Sequence, residues 1–245
     1  MNIAASHGVI CATDLDDLET IARLLDAIDP VEGLVGYKFG SLLTLRFGLA
    51  AVVKAFRGLT SKWLIYDHQK AGLDIPSMAS EFVAICRDAG MDALILFPLA
   101  GPGSVNAFVG ATLEAGLVPI VGGALPLPDY LAPVGGFVAE DALSRILDRA
   151  YTLGARDFII PATDAFAIRA QAAKFAAQGD TRLYIPGIGA LGGDIARAFA
   201  AARPLGSYAI IGRAIYAAKD PAAAARRLAG EARSFGDTSS KGGRP

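Results

Sequence analysis

The chain has 245 residues, of which 53% are hydrophobic and 19% charged, with a formal net charge of −1 and a pI near 6.1. This length suits one barrel or one large α/β domain, and the composition supplies enough apolar residues for a sizeable core. The balanced charge gives no overall attraction for nucleic acid or anionic lipid, so a phosphate group would have to be held by a local site.

Short apolar runs alternate with longer segments of helical periodicity about eight times along the chain. The runs are rich in Val, Ile and Leu, as is typical of parallel strands buried on both faces. The predicted strands are Gly8–Thr13, Leu34–Tyr37, Trp63–Tyr66, Ala93–Phe97, Val118–Val121, Asp157–Ile160, Leu183–Ile185 and Ala209–Ile211. Predicted helices between them include Leu15–Ala27, Leu42–Phe56, Ser77–Ala89, Asp141–Leu153 and Asp194–Ala202. Asp16, Ser77 and Asp141 are of the residue types that begin helices.

Repeated strand–helix units of this kind predict a single-domain α/β fold, a (β/α)8 TIM barrel over residues 1–235. A doubly wound open sheet has the same local pattern and is the alternative. The Gly- and Pro-rich segment 122–137 predicts a long functional loop after the fifth strand. The small, polar residues 236–245 predict a flexible C-terminal tail.

Cysteine content and the apolar runs bear on the compartment. Cys11 and Cys86 are the only cysteines, too few for a disulfide framework or a zinc cluster, and we expect both to be buried thiols. Residues 1–7 lack the basic and apolar segments of a signal peptide. The apolar runs are too short and too interrupted to span a membrane, so we expect a soluble, cytoplasmic protein.

Charged side chains follow the first three predicted strands, at the point where each strand ends. Asp14, Lys38 and Asp67 stand at these ends. Lys70 follows Asp67 by three residues, and Asp74 follows Lys70 by four. Because the carboxyl ends of parallel strands meet at one rim of a barrel, we expect these side chains to lie close together in a nearly neutral network. Surface charges or structural ion pairs are the alternative, but three such strand ends in succession favour a catalytic cluster.

A glycine-rich segment follows the seventh predicted strand and leads into a helix. Residues 186–194 run Pro-Gly-Ile-Gly-Ala-Leu-Gly-Gly-Asp, and Gly212 and Arg213 follow the eighth strand. Glycines let backbone N–H groups approach phosphate oxygens, a helix N-terminus adds a favourable dipole, and a guanidinium donates paired hydrogen bonds. These two loops are the usual phosphate site of a barrel, so the sequence predicts phosphate binding here.

The same segment matches G-x-G-x-x-G, the fingerprint of dinucleotide binding. A dinucleotide-binding unit needs further strands and an acidic residue about 20 positions on. Only one strand follows here, and Arg213 stands at its end, which disfavours that interpretation. Glycines that merely turn the chain remain an alternative.

Three segments together resemble the orotidine 5′-monophosphate decarboxylase family over residues 8 to 232. Residues 66–76 run Tyr-Asp-His-Gln-Lys-Ala-Gly-Leu-Asp-Ile-Pro and resemble the family's Asp-x-Lys-x-x-Asp-Ile-Pro signature, in an archaeal-like DHQKAGxDIP form. Residues 186–194 and 212–216 resemble its phosphate-loop and arginine motifs, and the segment from Val121 resembles its pyrimidine-side loop. The combination is far more specific than any single motif.

This resemblance implies a homodimeric barrel that converts orotidine 5′-monophosphate to uridine 5′-monophosphate and CO2 without a metal or an organic cofactor. By position, Lys70 would protonate the pyrimidine, Asp67 would lie beside the substrate carboxylate, and Asp74 would reach into the neighbouring subunit's site. Lys38 and Asp14 would hold the ribose hydroxyls and join the charged network. The other positions implied in substrate binding are Ile75, Pro126, Gly189, Leu191, Gly192, Gly212 and, for the phosphate, Arg213.

Some positions depart from the family pattern. Both intervals in the signature are one residue longer than in the commoner form. Met78 stands where Thr is frequent, Pro126 where Ser or Thr contacts the pyrimidine, and Leu191 where a glutamine joins phosphate and base. Proline supplies neither a hydroxyl nor a backbone N–H. The catalytic charges are therefore kept while contacts to the base are changed.

Two further functions stay open. A barrel relative that acts on another phosphorylated substrate, as a sugar-phosphate decarboxylase or aldolase, would depend on a divalent metal in the same region. A non-catalytic protein that binds nucleotide phosphate would bind tightly without turnover. His68 follows Asp67 directly, so we expect it to point away from the site, and we expect His7 to be structural or solvated.

Overall fold

Eight parallel strands close into a barrel in which each strand pairs with the next along the chain and the last pairs with the first. The computed structural model describes residues 5–68, 72–177, 179–189 and 192–237. Its strands are β1 (His7–Ala12), β2 (Leu34–Gly40), β3 (Trp63–Asp67), β4 (Ala93–Leu96), β5 (Val118–Val121), β6 (Asp157–Ile159), β7 (Arg182–Pro186) and β8 (Gly206–Ile211). The predicted TIM barrel is confirmed, and pairing between β8 and β1 excludes the open sheet.

Helices surround the barrel and connect its strands. They are α1 (Leu18–Ile28), α2 (Ser41–Phe47), α3 (Leu49–Arg57), α4 (Ala79–Ala89), α5 (Pro102–Glu114), α6 (Ala142–Thr152), α7 (Ala165–Ala176), α8 (Ile195–Ala202), α9 (Arg213–Tyr216) and α10 (Pro221–Asp237). Short 3-10 turns occupy Pro76–Met78 and Ala132–Val134, the second of them directly within the predicted loop after β5. In the described part of the chain, no helix combines the length and apolar character needed to cross a bilayer.

Side chains of each strand alternate between two apolar cores. In β3, Ile65 packs inside the barrel, whereas Leu64 and Tyr66 pack against the surrounding helices. This alternation follows from the two-residue period of a strand, and burial on both faces explains why the strands are nearly continuous apolar runs. Cys11 and Cys86 are free, buried thiols of the helix-facing core, as predicted.

One predicted helix is two helices. The segment predicted as Leu42–Phe56 is divided at Gly48, which has a φ of 80° and separates α2 from α3. Glycine adopts a positive φ at little energetic cost, and this φ interrupts the helix. The apolar periodicity continues on both sides of Gly48, so the sequence pattern does not indicate the bend.

Two of the three predicted helix starts, Asp16 and Ser77, are not at the N-terminus of a helix. Asp17, rather than Asp16, caps α1 by accepting from the backbone N–H groups of Glu19 and Thr20. The carboxylate of Asp16 instead accepts from Arg46 at 3.0 Å. Ser77 lies within a 3-10 turn because Pro76 fixes the first φ of that turn, and α4 begins only at Ala79.

The remaining helix starts are closer to their predicted positions. Asp141 stands directly before α6, but its side chain makes no capping hydrogen bond and pairs with Arg145. Asp194 stands before α8 and accepts from the N–H of Arg197. At the other end of the chain, α10 continues to Asp237 and so includes the first two residues of the predicted tail, 236 and 237, whereas residues 238–245 lie outside the described residues.

Candidate active site

A cavity of about 270 Å³ lies at the carboxyl ends of the strands. Its charged lining residues are Asp14 after β1, Lys38 of β2, Asp67 of β3 and Arg213 after β8. Apolar residues form much of the remaining wall, namely Ala12, Phe97, Ala124, Leu125, Pro126, Ile159, Pro161, Pro186, Ile188 and Ile210. The cavity therefore combines an apolar wall with charged groups, as a site for a phosphorylated organic molecule requires.

Lys38 is held between two carboxylates at the cavity. Its Nζ donates to Asp67 Oδ2 at 2.8 Å and to Asp14 Oδ1 at 3.1 Å. The side chains of Lys38 and Asp67 are 10% and 14% exposed, whereas Asp14 is 54% exposed. The structure thus brings together the three charged residues that the sequence placed at successive strand ends. Lys38 lies within β2, which continues to Gly40, and not beyond its end as predicted.

Electrostatics keeps Lys38 protonated. Burial alone would lower the pKa of this ammonium, but the charges of Asp67 and Asp14, together with their hydrogen bonds, raise its pKa above the ordinary value. The other oxygen of Asp67, Oδ1, is buried and accepts no hydrogen bond from any residue that the structure describes. A buried carboxylate oxygen of this kind is suited to a further cation or donor.

The glycine-rich loop after β7 is folded on itself. The N–H groups of Gly189 and Gly192 donate to the carbonyls of Gly193 and Gly189, and Gly193 donates to Gly187. Gly187 and Gly189 have φ values of 89° and 81°, which explains the need for glycine at both positions. In this conformation the N–H groups of Gly189 and Gly192 are therefore not available to bind phosphate as predicted, because both already donate to backbone carbonyls.

Arg213 is a cation on the β8 side of the cavity. It follows β8 at the start of α9 and lines the cavity together with Gly212 and Tyr216. In the described part of the chain, no carboxylate lies within ion-pair distance of Arg213. A cation without an internal partner at a cavity rim is suited to bind an anion from solution.

Tyr216 was not predicted at this cavity. Its phenol lies on the wall near Gly212, where an added Cβ would come within 3.3 Å of the ring. Burial, with a contribution from the charge of Asp14, raises the pKa of Tyr216. The sequence offered one signal for this residue, its position one helical turn after Gly212.

A second, larger cavity of about 760 Å³ adjoins the first. Asp14, Lys38 and Asp67 line both cavities, so the charged cluster forms part of both walls. The outer cavity is otherwise bounded by α2, by Tyr66 and His68 of the β3 end, and by Phe82, Ile85 and Cys86 of α4. No local sequence pattern predicts this cavity, which is lined by both α2 and Leu49, the first residue of α3 after Gly48.

The end of the signature segment lies away from both cavities. Asp74 and Ile75 are exposed, and the carboxylate of Asp74 accepts from the N–H of Ile75 at 2.7 Å. Ser104 of α5 donates its hydroxyl to the carbonyls of Gly72 and Asp74 and so fixes this stretch of backbone. The predicted site residues Lys70 and Leu191 lie outside the described residues.

Comparison with known proteins gives a consistent result. Residues 8–228 match the Orotidine 5′-phosphate decarboxylase / HUMPS family. The chain is 31% identical over 235 residues to the orotidine 5′-phosphate decarboxylase of Thermobifida fusca (strain YX), covering 93% of this chain and 97% of that protein. It is 25% identical over 226 residues to the orotidine 5′-phosphate decarboxylase of Methanosarcina barkeri, covering 91% and 93% respectively.

Solved structures agree in fold. The orotidine 5′-monophosphate decarboxylase of Methanocaldococcus jannaschii, complexed with the inhibitor BMP, superposes with a TM-score of 0.77 at 21% identity, over 92% of this chain and 98% of that one. The orotidine 5′-phosphate decarboxylase of Pyrococcus horikoshii OT3 superposes with a TM-score of 0.74 at 23% identity, over 92% and 99%. With the barrel, the charged cluster and the sequence match in agreement, the chain belongs to the orotidine 5′-phosphate decarboxylase / HUMPS family.

Proposed function

We propose that this protein is a carboxy-lyase that converts orotidine 5′-monophosphate to uridine 5′-monophosphate and CO2. The observation that carries the proposal is one cavity that is lined by Lys38, held between Asp14 and Asp67, and by Arg213, which has no ion-pair partner among the residues that the structure describes. The family match over residues 8–228 and the relatives that bear this name support the same reaction.

The reaction requires a cation at the reacting carbon. Loss of CO2 from orotate leaves a pair of electrons in the plane of the ring, where the π system cannot absorb them. A preorganised ammonium stabilises this charge as it develops and then supplies the proton that replaces the carboxylate. We assign this role to Lys70, three residues after Asp67 in the sequence. The buried Oδ1 of Asp67, which lacks a partner among the described residues, supports a cation beside it.

The proposed roles of the remaining cluster follow from its charge and exposure. Asp67, the more buried carboxylate, would lie against the carboxylate of the substrate, and expulsion of CO2 would relieve the repulsion between them. Lys38 would hold Asp67 at a fixed place, and Asp14, the exposed member, would bind a ribose hydroxyl together with Lys38. This proposed mechanism uses charged side chains alone.

The phosphate and the pyrimidine would occupy opposite walls. Arg213 would bind the phosphate, whose binding energy is available to hold the substrate against the charged cluster. Gly189 and Gly192 would join it only if the loop after β7 exchanges its internal hydrogen bonds for bonds to phosphate, and Gly212 would join it from the end of β8. The base would face apolar groups, including Pro126, which offers no donor. Recognition of the base would then rest on shape and on neighbouring backbone groups.

We further propose a homodimer in which Asp74 and Ile75 complete the neighbouring site. Both residues are exposed and line neither cavity of their own subunit. Several large apolar side chains in the segments that follow β2 and β3 are exposed to solvent. Their exposed fractions are 82% for Leu42, 81% for Leu45, 47% for Leu73, 62% for Ile75, 44% for Met78 and 55% for Ile85. An exposed apolar surface of this kind marks a protein interface, and its closeness to Lys38 would place the partner at the site.

The test of the reaction is decarboxylation of orotidine 5′-monophosphate, followed by its ultraviolet change in the presence of a chelator. We expect turnover by the unmodified protein and none by Lys70→Ala, while a control variant at an exposed lysine, Lys219→Ala, keeps full activity. Tight nucleotide binding without turnover would support a non-catalytic binder. Turnover of a different phosphorylated substrate that appears only with magnesium would support the metal-dependent alternative.

The test of the dimer is separate from the test of the reaction. We expect sedimentation equilibrium to give twice the chain mass for the unmodified protein and a monomer for Leu42→Asp. Mixing two inactive variants, Lys70→Ala and Asp74→Ala, should restore activity to hybrid dimers, because one of their two sites keeps both residues. A monomeric, fully active protein would overturn the proposal.

A further inference from the structure

A chain of hydrogen bonds runs along the outer side of the charged cluster. His68 Nδ1 lies 3.0 Å from the hydroxyl of Tyr66, and that hydroxyl lies 3.0 Å from Thr44 Oγ1. Thr44 Oγ1 in turn donates to the carbonyl of Ser41 at 3.0 Å. The chain therefore connects the end of β3 to the first turn of α2 across the outer cavity.

Counting hydrogens fixes the direction of this chain. The carbonyl of Ser41 can only accept, so the single hydroxyl hydrogen of Thr44 is used there. Thr44 Oγ1 must then accept from Tyr66, so the one hydroxyl hydrogen of Tyr66 is used in this bond. Tyr66 must accept from His68, so Nδ1 of His68 carries a hydrogen. This is the one arrangement that makes all three bonds at once, and in it Nδ1 of His68 carries a hydrogen.

Aromatic packing fixes the plane of the histidine ring. The ring of His68 stacks on Tyr66 with centroids 5.4 Å apart and lies 5.5 Å from the ring of Phe82 on α4. Tyr66 also lies 6.1 Å from Phe39 of β2. The imidazole is therefore held by rings from β3 and α4, and a small displacement would cost contacts on both.

The outer chain and the inner ion pair join the same two strand ends. On the barrel side, Lys38 of β2 pairs with Asp67 of β3. On the helix side, the bonds from His68 end on Ser41, which directly follows β2. In the parallel register, Phe39 is opposite Tyr66 and Gly40 is opposite Asp67. Since Asp67 and His68 are consecutive, movement of the imidazole would move the carboxylate.

We propose that His68 is a positioning residue for the decarboxylation: its Nδ1–H donates through Tyr66 and Thr44 to Ser41 and thereby holds Asp67 against Lys38. The proposal rests on the proposed function for its effect on turnover. His68 acts through Asp67, because the rings of Tyr66 and His68 both lie beside Phe82 of α4, whereas Asp67 between them lines the barrel cavity.

Three substitutions separate positioning from mere packing. His68→Asn keeps an N–H donor near the place of Nδ1, whereas His68→Gln places its amide near Nε2 instead. Tyr66→Phe keeps the stacked ring and removes only the hydroxyl that relays the bond. We expect kcat to fall about tenfold or more in His68→Gln and Tyr66→Phe, since small displacements of catalytic groups are costly. We expect His68→Asn to stay within about threefold of the unmodified protein, and KM to change by less than about threefold in all three, because the phosphate is bound elsewhere.

The outcomes that overturn the proposal are specific. A loss in His68→Asn equal to that in His68→Gln would show that donation from Nδ1 is not what matters. Unchanged kcat in Tyr66→Phe would show that the chain does not position the cluster. A rise in KM with kcat unaffected would place His68 in ground-state binding.

The hydrogen assignment is tested without any substrate. Long-range ¹⁵N–¹H correlation spectra of the full-length protein distinguish the two neutral imidazole forms, and a His7→Gln variant identifies the signals of His68, the other of two histidines. We expect the Nδ1–H pattern for His68; an Nε2–H pattern would overturn the inference whatever the activity. Absence of turnover in the unmodified protein would instead refute the proposed function, with the spectrum still deciding the state of His68.

Discussion

Lys38 and Asp67 form a buried ion pair, with 2.8 Å between Nζ and Oδ2 and side chains only 10% and 14% exposed. Asp14 shares the same ammonium but is 54% exposed. The two carboxylates therefore depend on Lys38 unequally, because solvent can stabilise the charge of Asp14 and not that of Asp67.

Replacement of Lys38 by methionine should destabilise the fold strongly. It leaves the carboxylate of Asp67 buried without its cation, and loss of one partner from a buried pair typically costs about 3–5 kcal/mol. The free energy of unfolding from urea titration measures this loss. As a control, Arg87→Met breaks an exposed pair with Asp88 and should cost less than about 1 kcal/mol. Equal effects of the two substitutions would contradict the assignment of a buried pair.

The stabilisation from Lys38 should persist through neutral pH and disappear only in strong alkali. Although burial opposes the charge, Asp67 and Asp14 raise the pKa of Lys38 in the folded protein. A group whose folded pKa is raised stabilises the fold fully below its unfolded pKa, about 10.4 for lysine, and loses this contribution as pH rises through the folded value. The difference in unfolding free energy between the unmodified protein and Lys38→Met should thus stay constant from pH 7 to 9 and shrink only above about pH 10.4. A decline already between pH 7 and 9 would mean that burial dominates.

Removal of Arg213 should weaken substrate binding without changing the charged cluster. We expect Arg213→Ala to raise KM roughly 100-fold, as for the loss of paired, charge-assisted hydrogen bonds to phosphate. Steady-state kinetics and calorimetric binding of uridine 5′-monophosphate both measure the effect. Arg226→Ala on the exposed side of α10 is the matched control and should leave KM unchanged. An unaltered KM in Arg213→Ala would move the phosphate site elsewhere.

Gly193 should be intolerant of any side chain. A Cβ there would lie 2.6 Å from the Cβ of Ala162 and 2.6 Å from the carbonyl of Gly187, so the loop after β7 would have to shift. We expect Gly193→Ala to cost about 1–3 kcal/mol of stability and to raise KM. Gly230→Ala, inside α10 where nothing lies within 4 Å of the added carbon, should instead stabilise by about 0.5–1 kcal/mol. Thermal unfolding of the pair provides the comparison, and equal melting temperatures would show that the loop adapts freely.

Both cysteines should be unreactive in the folded protein. Burial raises the pKa of Cys11 and of Cys86 to about 12, so the thiolate that attacks thiol reagents is scarce at pH 8. We expect no labelling by Ellman's reagent over an hour under native conditions and two equivalents after denaturation, the number of cysteines in the sequence. Rapid reaction of one thiol in the native state would reveal local opening near β1 or α4.

The barrel and its charged cluster could be predicted from the sequence because both depend on local order. Each strand is an apolar run, and parallel topology alone carries Asp14, Lys38 and Asp67 to one rim. The N-cap of α1 was misplaced by one residue because two aspartates stand side by side, and only the distant Arg46 decides which of them is free to cap.

Other features of the site depend on contacts that no local pattern encodes. The outer cavity is lined by α2 and by Leu49 of α3, and these two helices meet at Gly48 within an otherwise helical periodicity. The internal hydrogen bonds of Gly189 and Gly192 follow from the three-dimensional path of their loop. The position of Tyr216 on the cavity wall depends on how α9 leaves β8. For these three features, the sequence indicates the residue types but not which residues are in contact in the folded protein.

The alternation along β3 has a consequence for how such a barrel changes over generations. Asp67 faces the reacting groups, while Tyr66 and His68 on either side of it face the helices. Substitutions at the inward-facing positions can alter which bond is broken. Substitutions at the outward-facing positions can alter how rigidly the strand ends are held against the helices. A lineage can therefore acquire a new substrate by a few inward changes while its outward layer is inherited intact. Insertion of a single residue inside the strand would exchange the two sets, so length within β3 should be far less free to vary than side-chain identity.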